Sequence, residues 1–102
     1  MGKRARAAGD AGRPAKNYVY TLNLAGGHKY VGTTTQPVQR IGSHFAGAGA
    51  KWTQKHQPIS VNSIMKCKSA ESAKKAETIV YQKMSAYHGA DKVRGAGHTK
   101  ST

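Results

Sequence analysis

Residues 18–34 read YVYTLNLAGGHKYVGTT, and this stretch decides the fold. Tyr18-Val19-Tyr20-Thr21-Leu22 is β-branched and aromatic, a composition that suits a pleated, half-buried surface. Ala25-Gly26-Gly27-His28 follows with turn chemistry, because glycine reaches positive φ at no steric cost. Lys29-Tyr30-Val31-Gly32-Thr33-Thr34 then repeats the strand composition. Two such runs joined by a short glycine-containing link predict a β-hairpin.

Downstream, the period changes. Pro37 stands where a first helical residue would stand. Val38, Ile41 and Phe45 follow at spacings of three and four, which predicts a short helix burying that stripe. Gly47-Ala48-Gly49 ends it; without a lysine and hydroxyl pair, this run is no phosphate loop. Residues 50–56, around Trp52, fit a short helix or a structured loop, closed by Pro58. Ile59-Ser60-Val61-Asn62-Ser63-Ile64-Met65 alternates and predicts a third strand. Ser69 is a natural N-cap for a long helix from Ala70 to about His88, with Gly89 as its stop. The expected architecture is α+β: a three-stranded antiparallel sheet flanked by helices, followed by a glycine-rich tail.

Upstream, residues 1–16 are rich in Ala, Gly, Arg and Lys and have no apolar period, as in a flexible basic tail. Residues 17–102 then form one domain, because 102 residues leave no room for a second. The chain carries 17 Lys and Arg against 4 Asp and Glu, a net charge of +13. The tail accounts for only +4 of it. Such a surplus calls for an anionic partner, with nucleic acid first and an anionic membrane surface second. No apolar run approaches the roughly 20 residues that span a bilayer, so a membrane role is not expected. The start carries five basic residues with no apolar stretch behind them, unlike a secretory signal. One cysteine, Cys67, excludes an internal disulfide and suits a reducing intracellular compartment, cytoplasm or nucleus.

Carboxylates are scarce: Asp10, Glu71, Glu77 and Asp91. Glu71 sits in the first turn of the long helix, where a negative charge favours the helix dipole. Ala73, Glu77, Val80, Met84 and Tyr87 are spaced by four, three, four and three, so they share a face that should point inward. A carboxylate in that stripe needs a partner, whether a cation such as Arg40, a hydrogen-bond network or a metal. Tyr18 and Tyr20 share one face of their strand, with Tyr30 on the next, and strand tyrosines are ordinarily core or edge residues. Arg40 and His44 are four apart on one helix face, suited to a phosphate and a mobile proton, or to plain solvent exposure. A zinc site from Cys67 with His44, His56, His88 and His98 lacks zinc-like spacing. Cys67 reads better as a small core or strand-end residue.

Tyr20 in the first strand, Tyr30-Val31-Gly32 ten residues on, then Arg40, His44 and Glu77 come in an order and spacing that resembles the GIY-YIG nuclease superfamily. The segment from Trp52-Thr53 to Pro58 and Val93-Arg94-Gly95 also look like small members of it. The resemblance covers about residues 18–97. Tyr18-Val19 stands where the family has Gly-Ile, and Lys92, beside Asp91, stands where members often carry asparagine.

The resemblance implies a Mg²⁺-dependent endonuclease, with Mn²⁺ as a substitute ion, hydrolysing DNA phosphodiesters to 5′-phosphate and 3′-hydroxyl ends. It makes Glu77 the metal ligand, Arg40 the neutraliser of phosphoryl charge and Tyr20 the general base, relayed by His44. Tyr30 would orient the water or the base. An ordinary tyrosine has a pKa of about 10, so Tyr20 should need a lowered value, which cationic surroundings would favour. Lys29, Lys51, Lys55, Lys66, Lys68, Lys92 and Arg94 are phosphate-contact candidates, and Trp52 is a candidate to stack or wedge. Expected partners are DNA, branched or nicked, and a second copy or a guiding protein, since one site cuts one strand. Viruses and phages are sources in which such solo domains occur. A non-catalytic basic nucleic-acid-binding protein is the rival reading: it explains the charge but needs neither an inward Glu77 nor an Arg40–His44 pair.

Overall fold

A computed structural model describes residues 16–95. The expected basic tail at 1–15 and the glycine-rich end at 96–102 lie outside the described residues. Within them the chain runs β1 (Asn17–Leu24), a 3₁₀ turn (Ala25–Gly27), β2 (Lys29–Thr34), α1 (Pro37–Phe45), α2 (Lys51–Lys55), β3 (Pro58–Cys67), α3 (Ala70–His88) and β4 (Val93–Gly95).

The hairpin is as expected: β1 and β2 pair antiparallel with Tyr20 opposite Gly32 and Leu22 opposite Tyr30. Gly26 and Gly27 turn the chain at φ 75° and 78°. β3 pairs antiparallel with the other side of β1. The sheet has four strands, not three, in the order β3-β1-β2-β4. β4 pairs parallel with β2, opposite Lys29, Tyr30 and Val31, which makes the sheet mixed. Its last residue, Gly95, holds φ 131° so close to Val31 that a Cβ would run into the Val31 carbonyl.

The sheet has a core on each face. Tyr20, Leu22, Leu24, Tyr30 and Trp52 form one, joined by Ile41 of α1 and Ala50. Val19, Val31, Val93 and Ala73 form the other, under α3, with Cys67, Val80 and Met84 against it. α3 is anchored at its start by a capping box: the Ser69 hydroxyl accepts from the Ser72 N–H while Ser72 Oγ accepts from the Ser69 N–H. Gly89, at φ 102°, closes its other end.

Three packing expectations change. In α1 the buried residue is His44; Val38 is 86% exposed and Phe45 lies at the surface, because polar bonds to His44 rotate the helix onto its Ile41–His44 side. In α3 the stripe is covered at Ala73 and half-covered at Glu77, Val80 and Met84, but Tyr87 is 85% exposed: a helix of 19 residues spans about 28 Å and overshoots the sheet. Along β3 only Pro58 is buried and Cys67 half-covered; Ile59, Val61, Ile64 and Met65 are all exposed, so neither alternating face is covered. Register shifts opposite Thr21/Leu22 and Asn23/Leu24 bend it.

No helix of the described residues is long and apolar enough to cross a membrane.

Candidate active site

The hairpin places Tyr20 and Tyr30 on the same sheet face, because residue 22 opposite Tyr30 is in phase with residue 20. Their ring centroids are 6.2 Å apart, and the His44 ring closes a triangle at 5.7 Å from Tyr20 and 5.0 Å from Tyr30. Gly32 is obligatory to this arrangement: a Cβ there would lie 2.5 Å from the Tyr20 phenol oxygen, which crosses over it.

His44 has both ring nitrogens engaged. Its Nδ1 lies 2.9 Å from Thr53 Oγ1 and its Nε2 lies 2.7 Å from the Tyr20 hydroxyl. The Thr53 hydroxyl proton is committed to the Ala50 carbonyl at 2.8 Å, so Thr53 Oγ1 accepts from His44 Nδ1–H. The longer 3.4 Å approach of the Ala50 N–H to Nδ1 is then no true hydrogen bond. Nδ1 thus carries the proton, and Nε2 accepts from the Tyr20 O–H. The result is a directed chain from Tyr20 through His44 and Thr53 to the Ala50 carbonyl. Thr53 is a member of the site that sequence reasoning missed, since a threonine in a five-residue helix announces nothing. Gly49 is another: a Cβ there would collide with His44 Nδ1. Gly49→Ala is therefore expected to displace the imidazole, costing about 1–3 kcal/mol in urea unfolding and lowering any turnover in proportion to the misplaced Tyr20 proton.

Arg40 donates toward both phenols and opposes the rise of their pKa values. The rise wins. Burial, the neighbouring Tyr30 phenol and the Glu77 carboxylate together push Tyr20 well above the ordinary tyrosine range. Tyr30 is raised by burial first, with Glu77 adding to it. This reverses the expectation of a lowered Tyr20 pKa: the guanidinium is outweighed by desolvation and by the neighbouring Tyr30 phenol. Burial, followed by the Arg40 charge, lowers His44 to about 4, so it is neutral at pH 7. The unfolded chain binds a proton on this residue below about 6.5 and the folded chain does not until about 4. Stability conferred by neutral His44 is full above pH 6.5 and falls as pH drops to 4, by roughly 3 kcal/mol in all. Melting temperature followed from pH 7 to 4 should show this loss, and a His44→Gln variant should lack most of it.

Glu77 comes from α3, and its charge reaches both phenols. Tyr20, Tyr30, Arg40 and His44 thus gather on one face of the sheet, while Glu77 acts on the phenols through its charge from α3, which packs against the other face. Beside Arg40 the surface opens into a hollow of about 280 Å³ lined by Thr34, Thr35, Gln36, Gln39, Arg40 and Ser43. Hydroxyls, amides and one guanidinium make it a seat for phosphate oxygens rather than for an apolar group. Among the described residues no group of three or more His, Cys, Asp or Glu gathers into a metal cluster.

The nucleic-acid candidates separate by place. Lys66 and Lys68 flank the end of β3 that pairs with the start of β1. Lys29, Lys55, Lys92 and Arg94 lie at the opposite end, around the hairpin turn, and Lys51 opens α2. Lys29 Nζ donates to Asn23 Oδ1 at 2.8 Å. Lys92 sends its ammonium toward the Gly26 carbonyl, 3.4 Å away. Trp52 presents no face to a base: it is 3% exposed and its indole N–H donates to the Lys29 carbonyl. A lone tryptophan in so small a core is worth more as filling than as a wedge.

Comparison with known proteins finds relatives for this chain. A UPF0213 protein of Cupriavidus pinatubonensis is 40% identical over 60 residues, covering 59% of this chain and 67% of the relative. One of Streptococcus pneumoniae is 34% identical over 68 residues, covering 67% of this chain and 69% of the relative. One of Streptococcus pyogenes is 38% identical over 64 residues, covering 63% and 70%. No solved structure matches the chain. The GIY-YIG catalytic domain matches residues 16–89, which span the hairpin, Arg40, His44 and the whole of α3. With that match over most of its length, the chain belongs to the GIY-YIG family of nuclease domains.

Proposed function

We propose that this protein is a metal-dependent endonuclease that hydrolyses DNA phosphodiester bonds, leaving 5′-phosphate and 3′-hydroxyl ends. One observation carries the reading: an acidic side chain acts on two buried phenols that an arginine and an oriented neutral histidine also engage. A merely structural role for Glu77 needs one counter-charge, not this set.

Glu77 would hold the ion, Mg²⁺ or Mn²⁺. The donor chemistry fits, because Mg²⁺ takes one or two carboxylates and fills its shell with water and phosphate oxygens. When bound, the ion supplies charge that stabilises the departing oxygen. The remaining chemistry belongs to the chain. Tyr20 cannot stand ready as a phenolate, since its burial forbids that, but its proton already points at His44 Nε2. A water attacking phosphorus gives its proton to the Tyr20 oxygen as Tyr20 passes its own to His44. The imidazolium so formed keeps its Nδ1–H bond to Thr53. No free phenolate arises at any stage. Arg40 neutralises charge growing on the phosphoryl oxygens, and Tyr30 orients the water. One such site cuts one strand, so a double-strand break takes a second copy, a guiding partner or a second visit.

The test is incubation of the full chain with supercoiled, nicked, flapped and four-way DNA, with Mg²⁺ or EDTA. Mg²⁺-dependent cleavage is expected. Binding without cleavage on every substrate would instead favour the non-catalytic nucleic-acid-binding reading.

A further inference from the structure

The hollow beside Arg40 takes no part in the proton path, yet it opens onto it. Tyr20 pairs with Gly32, and the Tyr20 hydroxyl crosses over that glycine. Strand side chains alternate, so Thr34 lies on the same face of β2 as Gly32, roughly 7 Å further along. One step along a nucleic-acid strand, from one phosphate to the next, is of that size. Arg40 joins the two places: it donates toward the Tyr20 and Tyr30 phenols and also lines the hollow. A phosphodiester at the phenols therefore has one neighbour within reach of Thr34, Thr35, Gln36, Gln39 and Ser43.

The lining suits such a neighbour. Thr34 Oγ1 accepts from the Gln36 N–H at 3.0 Å, which leaves its hydroxyl proton to donate outward. Ser43 Oγ gives its own proton to the Gln39 carbonyl at 3.0 Å. The carboxamides of Gln36 and Gln39 and the Thr35 hydroxyl make no hydrogen bond among the described residues. Among those residues no carboxylate lines the hollow to repel an anion. No aromatic ring of them lines it either, so a base would have nothing to stack on. Its volume of about 280 Å³ equals about nine water molecules at roughly 30 Å³ each, room for one sugar–phosphate unit of about ten non-hydrogen atoms.

We propose that this hollow seats the phosphodiester next to the scissile one, held by Gln36, Gln39 and Thr35 through neutral hydrogen bonds. Uncharged side chains make many of the backbone contacts in nucleic-acid complexes, and they fix register without reading sequence. The inference rests on the nucleic-acid reading above and deepens it. Arg40 holds the reacting phosphate; the glutamines hold its neighbour and stop the strand from sliding along the charged surface. Such contacts release no counterions of their own, unlike those of lysines. Their loss therefore weakens binding equally at every salt concentration, whereas a cation introduced in the hollow steepens the salt dependence.

The experiment is fluorescence anisotropy of the full chain on a labelled DNA duplex in EDTA, over a series of salt concentrations, so that cleavage plays no part. A Gln36→Ala/Gln39→Ala variant should bind roughly tenfold more weakly with the wild-type salt slope. Both side chains are exposed, so its thermal melt should be that of the wild type. Gln39→Lys should bind more tightly than wild type and steepen the log–log slope by about 0.9, one added phosphate contact. Gln82→Lys, at an exposed position of α3, supplies the same charge away from the hollow and should leave the slope unchanged. Wild-type affinity in the double-alanine variant, or equal slopes for the two lysine variants, overturns the seat. Millimolar inorganic phosphate at matched ionic strength should leave the tenfold difference intact; if it abolishes that difference, the occupant is free phosphate and the backbone contact is refuted. A wild-type chain that binds no duplex sinks the nucleic-acid reading itself, a different result from either. Absence of Mg²⁺-dependent cutting defeats the nuclease reading alone and leaves these binding curves standing.

Discussion

Glu77→Ala is expected to lower the cleavage rate at least about a thousandfold while leaving DNA affinity unchanged or slightly tighter. The asymmetry follows from where the charge sits. Glu77 is the carboxylate whose charge reaches both phenols, and among the described residues no other carboxylate acts on them. A thousandfold corresponds to about 4 kcal/mol of transition-state stabilisation, within what a bound metal supplies. Binding is a different matter. It draws on a net charge of +13, and removal of one anion adds to that surplus. The phenols respond too, since loss of the carboxylate removes one cause of their raised pKa values. Single-turnover rates beside anisotropy on the same duplex check both halves. A Glu77→Ala protein that still cuts at the wild-type rate removes the metal role.

Tyr20→Phe should cost about a hundred- to ten-thousandfold in the same assay, the range for losing a positioned proton carrier. The informative comparison is with His44→Ala. If the water proton passes through the Tyr20 hydroxyl to His44 Nε2, the two residues act as one unit, and removing the second after the first costs less than tenfold more. Independent roles would multiply instead, and a multiplicative double variant rules out the shuttle. The fold tolerates Tyr20→Phe because the ring and its packing on Tyr30 remain. Its stability cost is the lost donor to His44, about 1–3 kcal/mol for a buried acceptor left unpaired.

Local chemistry was legible and remote partnership was not. The hairpin, the Ser69 cap and the Gly89 stop were readable because each rests on a short-range rule. β4 escaped notice because three residues have no periodicity, and parallel pairing with β2 has no turn signal between the partners. The inward turn of His44 was hidden by a helix whose apolar stripe of Val38, Ile41 and Phe45 argued for another face. Hydrophobic patterning cannot register that one buried imidazole with two hydrogen bonds outweighs an exposed valine. The Tyr20 pKa was read in the wrong direction for a related reason: net charge is visible in a sequence, and desolvation is not. The stacking of the His28 and His56 rings was equally invisible, since nothing in the spacing of residues 28 and 56 marks them as neighbours.

The short parallel strand after α3 has a genetic corollary. Val93 fills the core beneath the helix that bears Glu77, and Gly95 fits against Val31 where a larger residue cannot. A nonsense codon just past Gly89 would spare every side chain proposed for catalysis, yet the last helix would lose the strand that pins its far end. Such an allele would encode a complete chemical kit with no bench to hold it, and would behave as a null.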